Sequence, residues 1–234
     1  MSLCLSLSEP TLEGCKKLLG DLGSCIVEVR VDLISNEGKG EVDEAGVREI
    51  FKTAANAGTP AIVTVRDLKE AGFTDRRLEL VKLGIESGAS MVDIEIEAPE
   101  SYRKAIVDYV RQINRKVEII VSYHNYELTP ELEELKRLVD TCFDYEADIA
   151  KLATATKSVQ DSSRLLSLYA DTRKIVALGM GKQGTITRVA ATKLGSPFTF
   201  VAASKETLTA PGQLTLDDMK SIMETIDSSE NIGA

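Results

Sequence analysis

The chain has 234 residues, 43% of them hydrophobic, enough for a sizeable core. Its 28 Lys+Arg against 37 Asp+Glu give a net charge of −9, which argues against sequence-independent nucleic-acid binding, since that needs a basic face, but leaves room for local arginines around a small anion. No apolar run approaches the ~20 residues of a membrane span, "MSLCLSLSEP" lacks the basic and long apolar parts of a signal peptide, and Cys4, Cys15, Cys25 and Cys142 show no CxxC spacing, so they read as buried thiols of a reducing cytosol rather than zinc ligands.

Short β-branched runs alternate with amphipathic segments of helical period. The strand-like runs are "LCLSLS" (3–8), "CIVEVRVD" (25–32), "AIVTVRD" (61–67), "MVDIEIE" (91–97), "EIIVSYH" (118–124), "DIAKLAT" (148–154), "KIVALGM" (174–180) and "FTFVAAS" (198–204). The segments between them read as helices. "PTLEGCKKLLGDLG" begins with Pro and ends at Gly, the asymmetry expected of helix ends. "DRRLELVKLGIESG" and "PESYRKAIVDYVRQINR" repeat the theme. "TPELEELKRLVDTCF" offers Thr129 as N-cap, Pro130 at the first helical position and acids in the first turn. A last helix, "TLDDMKSIMETID", leads into the polar tail "SSENIGA".

Strict βα alternation implies parallel strands with right-handed crossovers. Eight such units in this length predict a single α/β domain, a (β/α)8 TIM barrel over residues 1–227, with a frayed tail at 228–234. The competing open, doubly wound sheet would have strands that are apolar throughout. Here nearly every strand turns polar toward its C-terminal end, where a barrel builds its active site.

Alternation along each strand decides which polar groups converge. In "EVRVD", Glu28, Arg30 and Asp32 share a face. The third strand ends with Arg66, and the fourth offers Asp93, Glu95 and Glu97 on one face. Those acids either ring the barrel or pair with Arg30 and Arg66, and for Glu95 the structural role is expected. The fifth strand offers Ser122 and His124, the sole histidine, and the sixth places Lys151 among Ile149, Ala150, Leu152 and Ala153. An amine in an apolar strand is disfavoured as a cation, which suits a nucleophile of Schiff-base chemistry; the alternative is that Lys151 points outward and snorkels between helices. Neighbouring fifth and sixth strands, ~4.8 Å apart, would bring a proton carrier and a nucleophile to one small substrate.

"GMGKQG" (179–184) spells G-x-G-x-x-G, with Glu206 about twenty residues on as in the dinucleotide fingerprint. Too little chain follows it to complete a dinucleotide domain, and six βα units precede it. A tight glycine turn that aims backbone N–H groups, or Arg188, at an anion is the simpler reading. The long final loop "SKETLTAPGQLT" (204–215) suggests a lid, with Gln213 as its polar contact.

In order along the chain, "EVRVD", "TVRDLKEAG", "SYHNYE", "DIAKLA", "GMGKQGTITR" and "TAPGQ" resemble type I 3-dehydroquinase, the shikimate-pathway dehydratase of aromatic amino acid biosynthesis. The resemblance covers nearly the whole chain. It implies a (β/α)8 barrel, a cytoplasmic homodimer, no metal or cofactor, and a lyase that removes water from 3-dehydroquinate to give 3-dehydroshikimate through a lysine Schiff base. It implies Lys151 as the Schiff-base lysine, His124 as the general acid/base and Glu70 as the acid that partners the histidine. Glu28, Arg30 and Arg66 would hold the substrate ring and hydroxyls, Arg188 and Gln213 its carboxylate; Ser6 matches a serine of the first strand, and Met180 and Phe200 would line the pocket. The sequence departs from many relatives in a single glycine after the acid ("EAG") and in a final loop about two residues longer. The alternatives are a class I aldolase or transaldolase-like barrel, which would take a phosphosugar, and a non-catalytic barrel used as a binding domain.

Overall fold

The structure, a computed structural model, describes residues 2–7, 12–20, 25–34, 44–66, 74–113 and 116–229. Its elements follow the alternation read from the sequence: β1 (Ser2–Leu7), α1 (Leu12–Gly20), β2 (Ile26–Arg30), α2 (Glu44–Asn56), β3 (Ala61–Thr64), α3 (Asp75–Ser87), β4 (Met91–Glu95), α4 (Glu100–Gln112), β5 (Glu118–Asn125), α5 (Leu132–Asp144), β6 (Ile149–Ala155), α6 (Val159–Ser167), β7 (Ile175–Met180), α7 (Thr185–Ala191), β8 (Phe198–Ala202), β9 (Leu214–Thr215) and α8 (Leu216–Ser229). All strand pairs are parallel, in the order β7-β6-β5-β4-β3-β2-β1-β8-β9.

Local chemistry sets the helix ends. Thr74 caps α3 by accepting from the Arg77 N–H at 3.3 Å, and Gly88, at φ 123°, ends it. Ser158 and Asp161 form a reciprocal capping box at the start of α6. The helix expected to start at Pro130, with Thr129 as its cap, begins at Leu132 instead. The Thr129 hydroxyl is engaged elsewhere, 2.8 Å from both Thr154 Oγ1 and the Ala155 carbonyl, where it ties the β5–α5 loop to the end of β6.

Two apolar clusters split the strand residues by parity. Leu5, Val29, Val63, Ile94, Val121 and Leu152 face outward and pack with helix residues such as Phe51, Leu80, Ile106 and Leu135. Each such side chain contributes ~1.5–3 kcal/mol by leaving water. The other parity forms a separate interior cluster with a member from each of β1 to β8: Cys4, Ile26, Ile62, Met91, Ile120, Ile149, Val176 and Phe198, with Ala153, Leu178 and Phe200 above them. A single apolar plug fed by all eight strands is the interior of a curled, barrel-like sheet.

The curled sheet differs from a plain eight-strand ring at one seam. Among the described residues no ladder joins β7 to β8; the far edge of β8 pairs with β9 instead, Val201 opposite Leu214 and Ala202 opposite Thr215. The chain just before β9 is fastened to the end of β7, with Gly181 N–H donating to the Pro211 carbonyl at 2.8 Å and Thr185 Oγ1 to the Gly212 carbonyl at 3.1 Å. The final loop therefore has structure of its own, a 3-10 turn at Lys205–Thr207 and β9, and forms part of the wall at the seam. α8 runs to Ser229, and the rest of the polar tail lies outside the described residues.

Candidate active site

Above the apolar plug, toward the C-terminal ends of the strands, the interior becomes polar. The next inward positions are Ser6, Glu28, Thr64, Asp93, Ser122 and Lys151 on β1 to β6. Hydroxyls fix the two carboxylates of this layer. Ser6 Oγ donates to Glu28 Oε2 at 2.7 Å and Thr64 Oγ1 to Glu28 Oε1 at 3.1 Å, while Ser122 Oγ donates to Asp93 Oδ1 at 2.6 Å. Lys151 points inward and is 4% exposed. Its Nζ lies 2.8 Å from Asp93 Oδ2, 3.5 Å from Glu28 Oε1 and 4.4 Å from the centre of the Phe200 ring. The outward, snorkelling alternative is excluded, and the amine's surroundings are less apolar than its own strand suggests.

One layer higher sit Arg66, Glu95 and His124. Arg66 Nη2 reaches Asp93 Oδ2 and His124 Nε2, each at 3.3 Å, and Nη1 reaches Ser122 Oγ at 3.3 Å and Glu95 Oε1 at 3.2 Å. A guanidinium only donates, so His124 Nε2 is the acceptor and the neutral ring carries its proton on Nδ1. Burial, then the Arg66 and Lys151 cations, push the imidazole pKa well below its usual range against an opposing pull from Asp93. Burial alone would raise the Asp93 pKa, but the Arg66 and Lys151 cations outweigh it and hold the carboxyl well below the ordinary carboxylate range. Burial also works against the Arg66 charge, and Asp93, Glu95 and Glu28 more than reverse this.

These groups open on a cavity of about 510 Å³ lined by Glu28, Arg30, Arg66, His124, Lys151, Met180, Arg188, Phe200 and Gln213, together with Asp32, Leu33, Glu95, Tyr126, Ala153, Leu178, Thr209 and Ala210. The size suits a small-molecule ligand. Arg30 is held by Asp32, Nε to Oδ1 at 3.0 Å and Nη2 to Oδ2 at 2.7 Å. Asp32 lies in the 3-10 turn Val31–Leu33 that follows β2, where it also accepts from the Arg66 backbone N–H at 3.2 Å. Gln213 Oε1 is occupied by the backbone and hydroxyl of Thr209, at 2.9 and 3.0 Å.

Arg188, on α7, stands apart. It is 2% exposed, its Nε has no hydrogen-bond partner among the described residues, and burial lowers its pKa to about 10. A buried guanidinium so placed on a cavity wall is a ready partner for an anion. "GMGKQG" positions it. A Cβ on Gly184 would overlap the Gly179 carbonyl, so the two glycines let the start of α7 press against the end of β7. The glycines serve close packing of α7 on β7 here.

The sequence matches the family model described as type I 3-dehydroquinase over residues 3–230. It is 36% identical over 207 residues to the 3-dehydroquinate dehydratase of Methanocaldococcus jannaschii, covering 86% of this chain and 87% of that one. With the corresponding protein of Methanococcus vannielii it shares 33% identity over 236 residues, covering 96% and 100%. The chain belongs to the type I 3-dehydroquinase family. In structure it resembles the type I 3-dehydroquinate dehydratase of Clostridium difficile, solved with covalently modified comenic acid, at a TM-score of 0.82 and 23% identity, covering 97% of this chain and 93% of that one. Type I 3-dehydroquinases are lyases of the shikimate pathway, and the Schiff-base mechanism is characteristic of them.

Against that membership, the residues expected from the sequence fall into three groups. Glu28, Arg30, Arg66, His124, Lys151, Met180, Arg188, Phe200 and Gln213 meet at one cavity. Ser6 lies beneath it, its hydroxyl given to Glu28. Glu70 lies outside the described residues. Three contributors were not assigned to the site from sequence. Asp93 is the hub that joins Lys151, Ser122 and Arg66; Asp32 orients Arg30; and Arg77 of α3 pairs with Glu95 and donates to the Val65 carbonyl at 2.8 Å, bracing the carboxylate that holds Arg66. Among the described residues no group of His, Cys, Asp and Glu has the makings of a metal site.

Proposed function

We propose that the chain dehydrates 3-dehydroquinate to 3-dehydroshikimate in this cavity, with Lys151 forming the imine and His124 carrying protons. A buried primary amine and a neutral imidazole that face the same cavity are the observation that carries this reading. The Lys151 amine adds to the substrate ketone, and loss of water gives an iminium, a better electron sink than the ketone. His124 Nε2, freed from Arg66, takes the α proton. The electron pair moves into the C–N unit and then expels the β-hydroxyl, which leaves as water with a proton returned from His124. Hydrolysis of the conjugated iminium releases product and restores the amine.

Arg188 takes the carboxylate, supported by its burial and its unpartnered Nε. Glu28, Arg30 and Arg66 take the ring hydroxyls; Gln213 closes the carboxylate end; Met180 and Phe200 cover the ring. Glu70 is carried over from the family as the acid that partners the histidine, and Ser6 acts through Glu28. We carry over from the family a homodimer in the cytoplasm, and take residues 1–227 as one catalytic barrel. The test is a dehydratase assay that follows the ultraviolet absorption of the conjugated enone. Turnover of 3-dehydroquinate that is lost in Lys151→Met is the expected result; cleavage of a phosphosugar instead, or binding of 3-dehydroquinate without turnover, overturns the reading.

A further inference from the structure

Two carboxylates face Lys151 Nζ, and they are held differently. Both oxygens of Glu28 accept from hydroxyls, and its nearer one stands 3.5 Å from the amine. Asp93 Oδ2 stands 2.8 Å away and accepts from it directly. Ser122 pins the other Asp93 oxygen at 2.6 Å. Asp93, Ser122 and Lys151 come from the consecutive strands β4, β5 and β6, so Asp93 cannot swing away from the amine without giving up the Ser122 bond.

We propose that Asp93 is the positioning residue of the imine nitrogen: it remains the counterion of that nitrogen through the reaction and keeps the imine protonated. This rests on Lys151 as the imine-forming lysine. An ammonium and a ketone give an iminium and water; of the three N–H protons one stays on nitrogen and two leave on the former ketone oxygen. The charge is +1 on both sides, so the carboxylate faces one positive charge before and after. The remaining iminium N–H can donate to Asp93 Oδ2, the acceptor that the ammonium already uses.

A buried imine without a counterion tends to lose its proton, and a neutral imine is a poor electron sink. Among the described residues the other charged or titratable groups around the amine are Glu28 and Arg30 from β2, Arg66 beyond β3, His124 from β5 and the Cys4 thiol of β1 below. Arg30 and Arg66 are cations and oppose a protonated imine. The Phe200 ring presents its face, at 4.4 Å.

The test compares wild type, Asp93→Asn and Asp93→Glu in the intact chain, with 3-dehydroquinate. It reads kcat and KM, and the share of protein labelled at Lys151 after borohydride, which reduces an iminium faster than a neutral imine. Asp93→Asn is expected to lower kcat ~10²–10³-fold, the scale of losing one preorganised charged contact, with KM within about threefold and clearly less label. Asp93→Glu should recover a large part of both. Asp93→Asn with wild-type kcat and label overturns the inference, and so does an equal loss in both variants with KM raised, the mark of a merely structural role. Should Asp93→Asn fail to fold, Ser122→Ala, which frees Asp93 Oδ1, should give the same signature at ~10-fold in kcat, near the worth of a single hydrogen bond; unchanged label in it overturns the inference. Wild type labelled elsewhere than Lys151 refutes the underlying reading instead, so the two failures are distinguishable.

Discussion

The floor and the mouth of the barrel interior are built by the same strands and differ by one step of two residues. On β1 to β6 that step replaces an apolar side chain by a polar one: Cys4 by Ser6, Ile26 by Glu28, Ile62 by Thr64, Met91 by Asp93, Ile120 by Ser122 and Ile149 by Lys151. On β7 and β8 it does not, because Val176 gives way to Leu178 and Phe198 to Phe200. The mouth is therefore two-sided, a hydrogen-bonded charged half facing an apolar half. Burial alone does not make a position apolar; what the buried group can be paired with decides. The floor contributes to the fold through packing, and the mouth concentrates charge that only a full set of partners makes tolerable.

Substitutions should separate the two regions, and the largest effect belongs to the mouth. His124→Gln is expected to lower kcat by ~10²–10⁴-fold, the usual worth of a general acid/base, while leaving the imine able to form. Near-normal turnover would mark the histidine as structural. The floor should behave in the opposite way. Ile120→Ala, in the apolar plug, should cost ~2–5 kcal/mol of unfolding free energy in denaturant titration, with kcat little changed.

Arg188 sharpens the contrast, because it is a mouth residue whose Nε has no partner among the described residues. Arg188→Met removes a poorly satisfied buried polar group, so it should stabilise the unliganded chain by ~1–3 kcal/mol, read as a higher denaturation midpoint. The same change should raise KM ~10²-fold or more by removing the carboxylate's partner. A destabilised variant with unchanged KM would show that the arginine serves the fold.

The smallest effect is a slope of stability with pH. The folded His124 pKa lies well below the usual ~6.5, so as pH falls below about 6.5 the unfolded chain takes up a proton that the folded chain excludes. The contribution is full above that pH and is lost as pH falls through the folded value. Since His124 is the sole histidine, His124→Gln should flatten stability between about pH 6.5 and the onset of carboxylate titration near ~4. An unchanged slope would mean that the imidazole is not held neutral by its neighbours.

Much of this was legible in the sequence because period-two alternation and polar strand ends are local signals. They pointed to the parallel strands and to the common end at which Arg30, Arg66, His124 and Met180 meet; alternation alone left Lys151 free to point inward or outward, and only the ordered motifs of the resemblance assigned it to the site. What was not legible depends on depth and on distant partners. "MVDIEIE" shows three acids on one face, and nothing in it says that Asp93 lies in the layer of Lys151, that Glu95 lies one step higher between Arg66 and Arg77, or that Glu97 is exposed. Arg77 reads as a helix's solvent face in "DRRLELV", yet it is buried against β3 and β4. Thr129 looked like an N-cap because its sequence neighbours fit one, but a hydroxyl bonds whichever acceptor folding brings, here the end of β6. The strand β9 at the seam was hidden for the same reason, since its two residues make a strand only beside β8.

The central claim is that the reactive amine of the mouth is Lys151. The most direct measurement is to incubate the wild-type chain with 3-dehydroquinate, add borohydride, weigh the intact protein and map the peptides. One added ligand mass on the peptide that contains "DIAKLA" is the predicted result. Label on Lys157 or Lys182 instead, or no label while turnover continues, would contradict it.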